Sequence, residues 1–88
     1  MTEIVLRVAT ETDDGPRMMA RSQARGLMAR AADCDRVTID FAGVSEVSPS
    51  FADEIFRVWA HAHSGVAIEA VNFSPYVERM MRRAGWRA

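Results

Sequence analysis

Val37-Thr38-Ile39-Asp40-Phe41-Ala42-Gly43, followed after four residues by Ser48-Pro49-Ser50-Phe51-Ala52-Asp53-Glu54, is the stretch that decides the fold. Val37, Ile39 and Phe41 alternate with Thr38 and Asp40, the period of a strand with one buried face. Gly43 marks the turn beyond it. Two helix starts fit the next residues. Ser48 can cap with Pro49 at the first helical position, or Ser50 can cap with Asp53 three residues on, as in a capping box. Either start puts Ala52, Ile55, Phe56, Trp59 and His63 on one side of the helix. Glu54, Arg57 and His61 fall on the other.

Working outward, the same alternation predicts a first strand over Ile4 to Ala9, with Ile4, Leu6 and Val8 on one face. Asp13, Asp14, Gly15 and Pro16 then read as an acidic cap and a proline opening a helix. From Arg17 to about Ala32 there is no proline and no β-branched residue, and Ala20, Ala24, Leu27 and Ala31 fall in a narrow arc. Gly65 ends the second helix and Val66 to Val71 reads as the third strand. Ser74-Pro75 opens a third helix with Val77, Met80, Met81 and Ala84 as its apolar positions, and Gly85 is its stop. The order is β-α-β-α-β-α with no linker or duplication, so residues 1–88 read as one α/β domain. Crossovers of this length give parallel strand pairs. The expected architecture is a largely parallel or mixed sheet with helices mainly on one face. Arg7, Thr38, Asp40 and Glu69 would line the more polar face, and the strand order stays open.

Composition bounds the function. With 49% hydrophobic and 26% charged residues, wholesale disorder and low complexity are excluded. A formal net charge of −1 gives no bulk attraction to polyanions. No run reaches the roughly 18–20 apolar residues of a membrane helix. Glu3 and Arg7 sit where a secretory signal would be apolar, so the expected location is the cytoplasm and no membrane contact is expected. The lone Cys34 excludes an internal disulfide and a cysteine zinc cluster.

Few residues suggest chemistry. All eleven basic residues are arginines, so no phosphate loop with its lysine is possible. His61 and His63 point apart on a helix and do not form a metal pair. No metal or cofactor is expected. Asp53 and Glu54 diverge by about 100° as helix neighbours, and Asp53 reads as a first-turn carboxylate. Asp40, after the apolar run of the central strand, fits either a binding rim or a cap on the Gly43 turn. Arg17, Arg21 and Arg25 follow at four-residue spacing, a candidate polyanion-binding face, although no aromatic stacking platform is interleaved. Cys34 lies between Asp33 and Asp35, where negative charge opposes a thiolate. Ser50 fits a phosphoacceptor at a helix start or a plain cap.

The residues Arg21-Ser22-Gln23-Ala24-Arg25, Asp40-Phe41-Ala42-Gly43-Val44, Phe51-Ala52-Asp53-Glu54-Ile55-Phe56-Arg57-Val58 and Asn72 resemble the STAS-like domain of unknown function, DUF4325. More distantly the chain is similar to the STAS domains of anti-anti-sigma factors. That resemblance implies a non-catalytic bacterial regulatory module that binds another protein. It implies an ATPase-like kinase or anti-sigma factor as partner, signal transduction as the setting, and Ser50 on the phosphoacceptor position. The chain departs from those domains at Ser48-Pro49-Ser50-Phe51, where they carry Asp-Ser-Ser-Gly. It also has room for one strand, not a hairpin, before the first helix.

The expected partner surface is therefore Asp40, Ser48, Ser50, Phe51, Asp53, Glu54 and Arg57, with Ser50 as phosphoacceptor and no catalytic residue. A nucleic-acid or nucleotide-binding accessory domain using Arg17, Arg21 and Arg25 is the alternative, and a small enzyme with a carboxylate-lined site around Asp40, Asp53 and Asn72 is a third. Self-association through an uncovered edge strand, giving a homo-oligomer, is a further possibility.

Overall fold

The structure is a computed structural model that describes residues 2–11 and 17–87. Three strands form the main sheet: β1 (Glu3–Arg7), β3 (Arg36–Asp40) and β5 (Ala67–Val71), in the order β1-β3-β5. Both pairings are parallel, with Val5 beside Thr38 and Thr38 beside Glu69. A second, two-residue parallel pair joins β2 (Arg17–Met18) to β4 (Glu46–Val47). The helices are α1 (Val8–Glu11), α2 (Arg21–Met28) with a 3₁₀ turn over Ala29–Ala31, α3 (Pro49–Asp53), α4 (Ala60–Ala62) and α5 (Pro75–Arg83). Between α3 and α4 the chain is π-helical over Glu54–Trp59, so residues 49–62 run as one continuous helix.

Alternation separates the two faces of the sheet as expected. Leu6, Val37 and Ile39 point under the helices and are fully buried. Glu3, Val5, Arg7, Ala67, Glu69 and Val71 are exposed on the other face. Parallel sheets are usually covered on both sides; here helices pack on one. Against that covered face lie Ala24, Leu27 and Met28 of α2, Phe51, Ile55 and Phe56 of the 49–62 helix, and Val77 and Met81 of α5. Phe51 is completely enclosed, and truncating such a side chain to alanine typically costs about 3–5 kcal/mol.

The helix ends follow local chemistry. Ser74 accepts a hydrogen bond from the Val77 amide at 3.1 Å, with Pro75 at the first helical position. At the other end of α5, Gly85 adopts φ 109°, and the Trp86 amide donates back to the Met81 carbonyl at 3.0 Å. A left-handed glycine with that return bond closes the helix. Trp86 then packs edge-on against Phe73 and Phe56, with the Arg82 guanidinium 5.2 Å from its ring centroid.

Three expectations need correction. The first long helix does not begin at Arg17. Residues 17–18 are strand because Met18 is buried and laddered to Val47, and the Ser48 amide donates to the Met18 carbonyl at 2.8 Å. The α2 start is held instead by Gln23, whose Oε1 accepts from the Met19 and Ala20 amides at 2.8 and 2.6 Å; Ala20 is exposed at the cap. The Asp13–Pro16 helix opening lies outside the described residues. Second, the first strand stops at Arg7 and Val8 starts α1. Third, Glu54 is not on the solvent face of its helix: it is 6% exposed.

Candidate functional site

Asp40 ends β3 and organises the turn that leaves the sheet. Its Oδ1 accepts from the Ala42 amide at 2.9 Å and from Asn72 Nδ2 at 3.1 Å. Asn72 follows β5 with φ 59°, a left-handed position asparagine tolerates. The Ala42 amide, then the Asn72 side chain, hold the Asp40 carboxyl below the ordinary carboxylate range, and the Arg7 charge adds to this. The turn-capping geometry is thus realised, and the carboxylate ties the ends of two neighbouring strands together.

Of the two readings of the next helix start, the structure adopts Ser48. Its Oγ accepts from the Phe51 amide at 3.0 Å and donates to the Met19 carbonyl at 2.6 Å, so one hydroxyl caps α3 and binds the segment before α2. Ser50, two positions on, is exposed. Among the described residues its hydroxyl has no hydrogen-bond partner. The alternative of Ser50 as cap with Asp53 is therefore not used.

Asp53 instead joins an ion-pair cluster across two helices. Arg57, one turn along, approaches its two oxygens at 2.6 and 2.8 Å, and Arg21 of α2 lies 2.9 Å away. Hydrogen bonds from Arg57 first, then Arg21, lower the Asp53 carboxyl to about 2. The same contacts raise Arg57 and Arg21 above the usual guanidinium range, Asp53 being the chief cause in each case. Glu54 sits beneath, with Arg21 at 3.3 Å and Arg25 at 3.5 Å. Its burial comes from α2, which packs alongside and lays Arg21 and Arg25 over it; the π-helical bond from the Ala60 amide to the Ile55 carbonyl lies further along the helix. Cross-helix pairing of this kind leaves no periodic mark in one sequence.

The arginines expected on one helix are divided. Arg17 lies on β2 and pairs with Glu46. Arg21 and Arg25 face the Asp53–Glu54 carboxylates. Each therefore shares its charge with an acid, and no open basic stripe results.

Beside Ser50 runs a groove of about 280 Å³, bounded by Pro49, Ser50 and Asp53 on one side, Arg21 on a second, and Met80 and Arg83 of α5 on the third. Arg83 is exposed. Asp40 lies outside this lining. Among the described residues no group of His, Cys, Asp and Glu is placed to hold a metal ion, and no helix is long and apolar enough to cross a membrane. Phe51 and Glu54, expected on the partner surface, are inside the domain. Sequence reading missed the α5 contribution: Met80 and Arg83 reach the groove only because α5 packs beside α3.

A parallel sheet covered by helices on one face, with strands and helices alternating along the chain, is the STAS-like architecture. Within that class, the model of the STAS-like domain of unknown function (DUF4325) matches residues 23–78, well over half the chain, and the chain belongs to that family. The match runs from the Gln23 that caps α2 to Glu78 in α5. No curated protein and no solved structure matches the chain.

Proposed function

We propose that the domain acts by binding another protein at the surface around Ser50, without catalysing a reaction. The observation that carries this reading is Ser50 itself: exposed at the beginning of the 49–62 helix, its hydroxyl unused, at the lip of a groove flanked by Arg21 and Arg83. Ser48 already performs the capping, so Ser50 is available for another role. Asp40, Ser48, Asp53 and Arg57 complete the proposed rim, with Phe51 and Glu54 supporting it from within.

Phosphorylation of Ser50 by an ATPase-like kinase partner is the finer form of the proposal. It would add about −1.5 to −2 charges beside two guanidinium groups and the Asp53 carboxylate. Arg83, which has no ion pair among the described residues, is the group best placed to answer that charge. A cytoplasmic signalling role accords with this form. The rival polyanion reading is weaker because Arg17, Arg21 and Arg25 each face a carboxylate.

Affinity capture from the native cells at low and high salt tests the proposal, using the tagged chain beside its Ser50→Arg and Arg83→Glu variants. A stoichiometric protein held by the parent chain at both salts and lost from the variants is the expected result. Capture of nucleic acid alone, released by salt, would overturn it and favour the arginine reading.

A further inference from the structure

β1 stands at one edge of the main sheet, paired only with β3 among the described residues. The Thr2 carbonyl accepts the Arg36 amide at 3.1 Å. In a parallel ladder the inward groups come from alternate residues, so Thr2, Ile4 and Leu6 bond to β3. The backbone groups of Glu3, Val5 and Arg7 consequently point outward, away from the sheet. The side chains of these three residues share the open face, where Val5 is 48% exposed.

The strand reads Glu3-Ile4-Val5-Leu6-Arg7, acidic at one end, basic at the other and apolar between. We infer that β1 is a self-recognition strand, pairing antiparallel with β1 of a second copy about a two-fold axis at Val5. In that register Glu3 faces the second copy's Arg7, Arg7 faces its Glu3, and the two Val5 side chains meet at the axis. All three outward-facing residues fall on hydrogen-bonding positions of the new ladder. Ile4, half-buried in one copy, lies opposite Leu6 on the helix side. The result is one six-stranded sheet with the helices of both copies on the same side, an isologous contact.

The charges are suited to it. Glu3 has Arg36 at 3.2 Å within its own chain, so its carboxylate would sit between two guanidinium groups. Arg7 has no ion pair of its own among the described residues. The opposite edge lacks this complementarity. Self-pairing of β5 about its centre would oppose Glu69 to Glu69, and Trp86 and Arg87 flank that edge beside Glu69 and Val71. Among the described residues no further strand pairs with this edge, and Val5 stands exposed at its centre, so its unpaired backbone groups are open to a second chain.

Sedimentation equilibrium over a wide concentration range tests the inference on the parent chain, Glu3→Arg, Arg7→Glu and the double exchange. The parent is expected to form a reversible dimer. Each single exchange sets like charges opposite one another twice per interface and should weaken the dimer about tenfold or more. The double exchange restores both pairs and should return the affinity to within about threefold of the parent. In a Cys34→Ala background, Val5→Cys should be joined into a dimer by a short thiol-to-thiol cross-linker, because the Cβ atoms of a hydrogen-bonded pair lie about 5.5 Å apart, too far for a direct disulfide but within reach of such a bridge. A parent chain monomeric into the millimolar range, a dimer indifferent to either single exchange, or no cross-linked dimer from Val5→Cys would overturn the inference.

Discussion

Ser48 and Ser50 are alike in sequence surroundings and opposite in structural role, which makes their alanine variants a sharp test. Ser48→Ala removes two bonds at once: the 3.0 Å bond from the Phe51 amide and the 2.6 Å bond to the Met19 carbonyl. Loss of an N-cap costs about 1 kcal/mol, and an unpaired carbonyl near the surface adds about as much. The total is about 1.5–2.5 kcal/mol, or a Tm lower by roughly 8–15 °C in a domain of this size. Ser50→Ala removes an exposed hydroxyl with no bond and improves helix propensity, so its effect should stay within about 0.5 kcal/mol. Ser48→Asp separates the two bonds: it still accepts from Phe51 but cannot donate to Met19, and should fall between parent and alanine variant. Urea unfolding followed by far-ultraviolet circular dichroism measures all three. Equal losses from Ser48→Ala and Ser50→Ala, or a harmless Ser48→Ala, would refute the capping argument.

The charge cluster and the glycines give further outcomes. Asp53 falls from 3.8 unfolded to about 2 folded, so its contribution is complete above its unfolded value and is lost as pH falls through the folded one. The shift corresponds to about 2.5 kcal/mol, reduced to about 1 kcal/mol because the side chain remains 24% exposed and solvent screens it. Urea midpoints should drop between about pH 4 and pH 2, and Asp53→Asn should flatten that drop. Arg21→Ala, which leaves buried Glu54 with Arg25 alone, should lower the urea midpoint. Adding Glu54→Leu should recover most of that loss, as a double-mutant cycle by chemical denaturation would show. Gly26 is exposed within α2 with open space where a Cβ would go, so Gly26→Ala should stabilise by about 0.5–1 kcal/mol. Gly85→Ala should destabilise by about 1 kcal/mol because φ is 109° there; thermal melts of the two should move in opposite directions.

The three principal strands and the third helix were legible because their signals are local. Alternation in Ile4–Val8 and Val37–Phe41 marks a one-sided sheet, and Ser74-Pro75 and Gly85 bracket α5 within a residue or two. The Ser48-Pro49 start was legible but not unique, since Ser50 and Asp53 satisfy a second capping pattern; packing against Met19 decides between them. Arg17–Met18 carries no strand signal of its own and becomes strand only because β4 lies alongside. Burial of Glu54 depends on α2 packing alongside with Arg21 and Arg25, which one sequence does not display. The groove beside Ser50 needs Met80 and Arg83, thirty or more residues away in sequence, so Ser50, Asp53 and Arg21 could be nominated beforehand but not their meeting with α5.

Docking of a partner around Ser50 is tested most directly by in-cell photocrosslinking. A photoreactive side chain placed in turn at Ser50, Arg83 and His61 compares the groove with the exposed far end of the same helix. Discrete adducts to one other protein from Ser50 and Arg83, and none from His61, are the expected result. Equal labelling from all three positions, or adducts from His61 alone, would contradict the account.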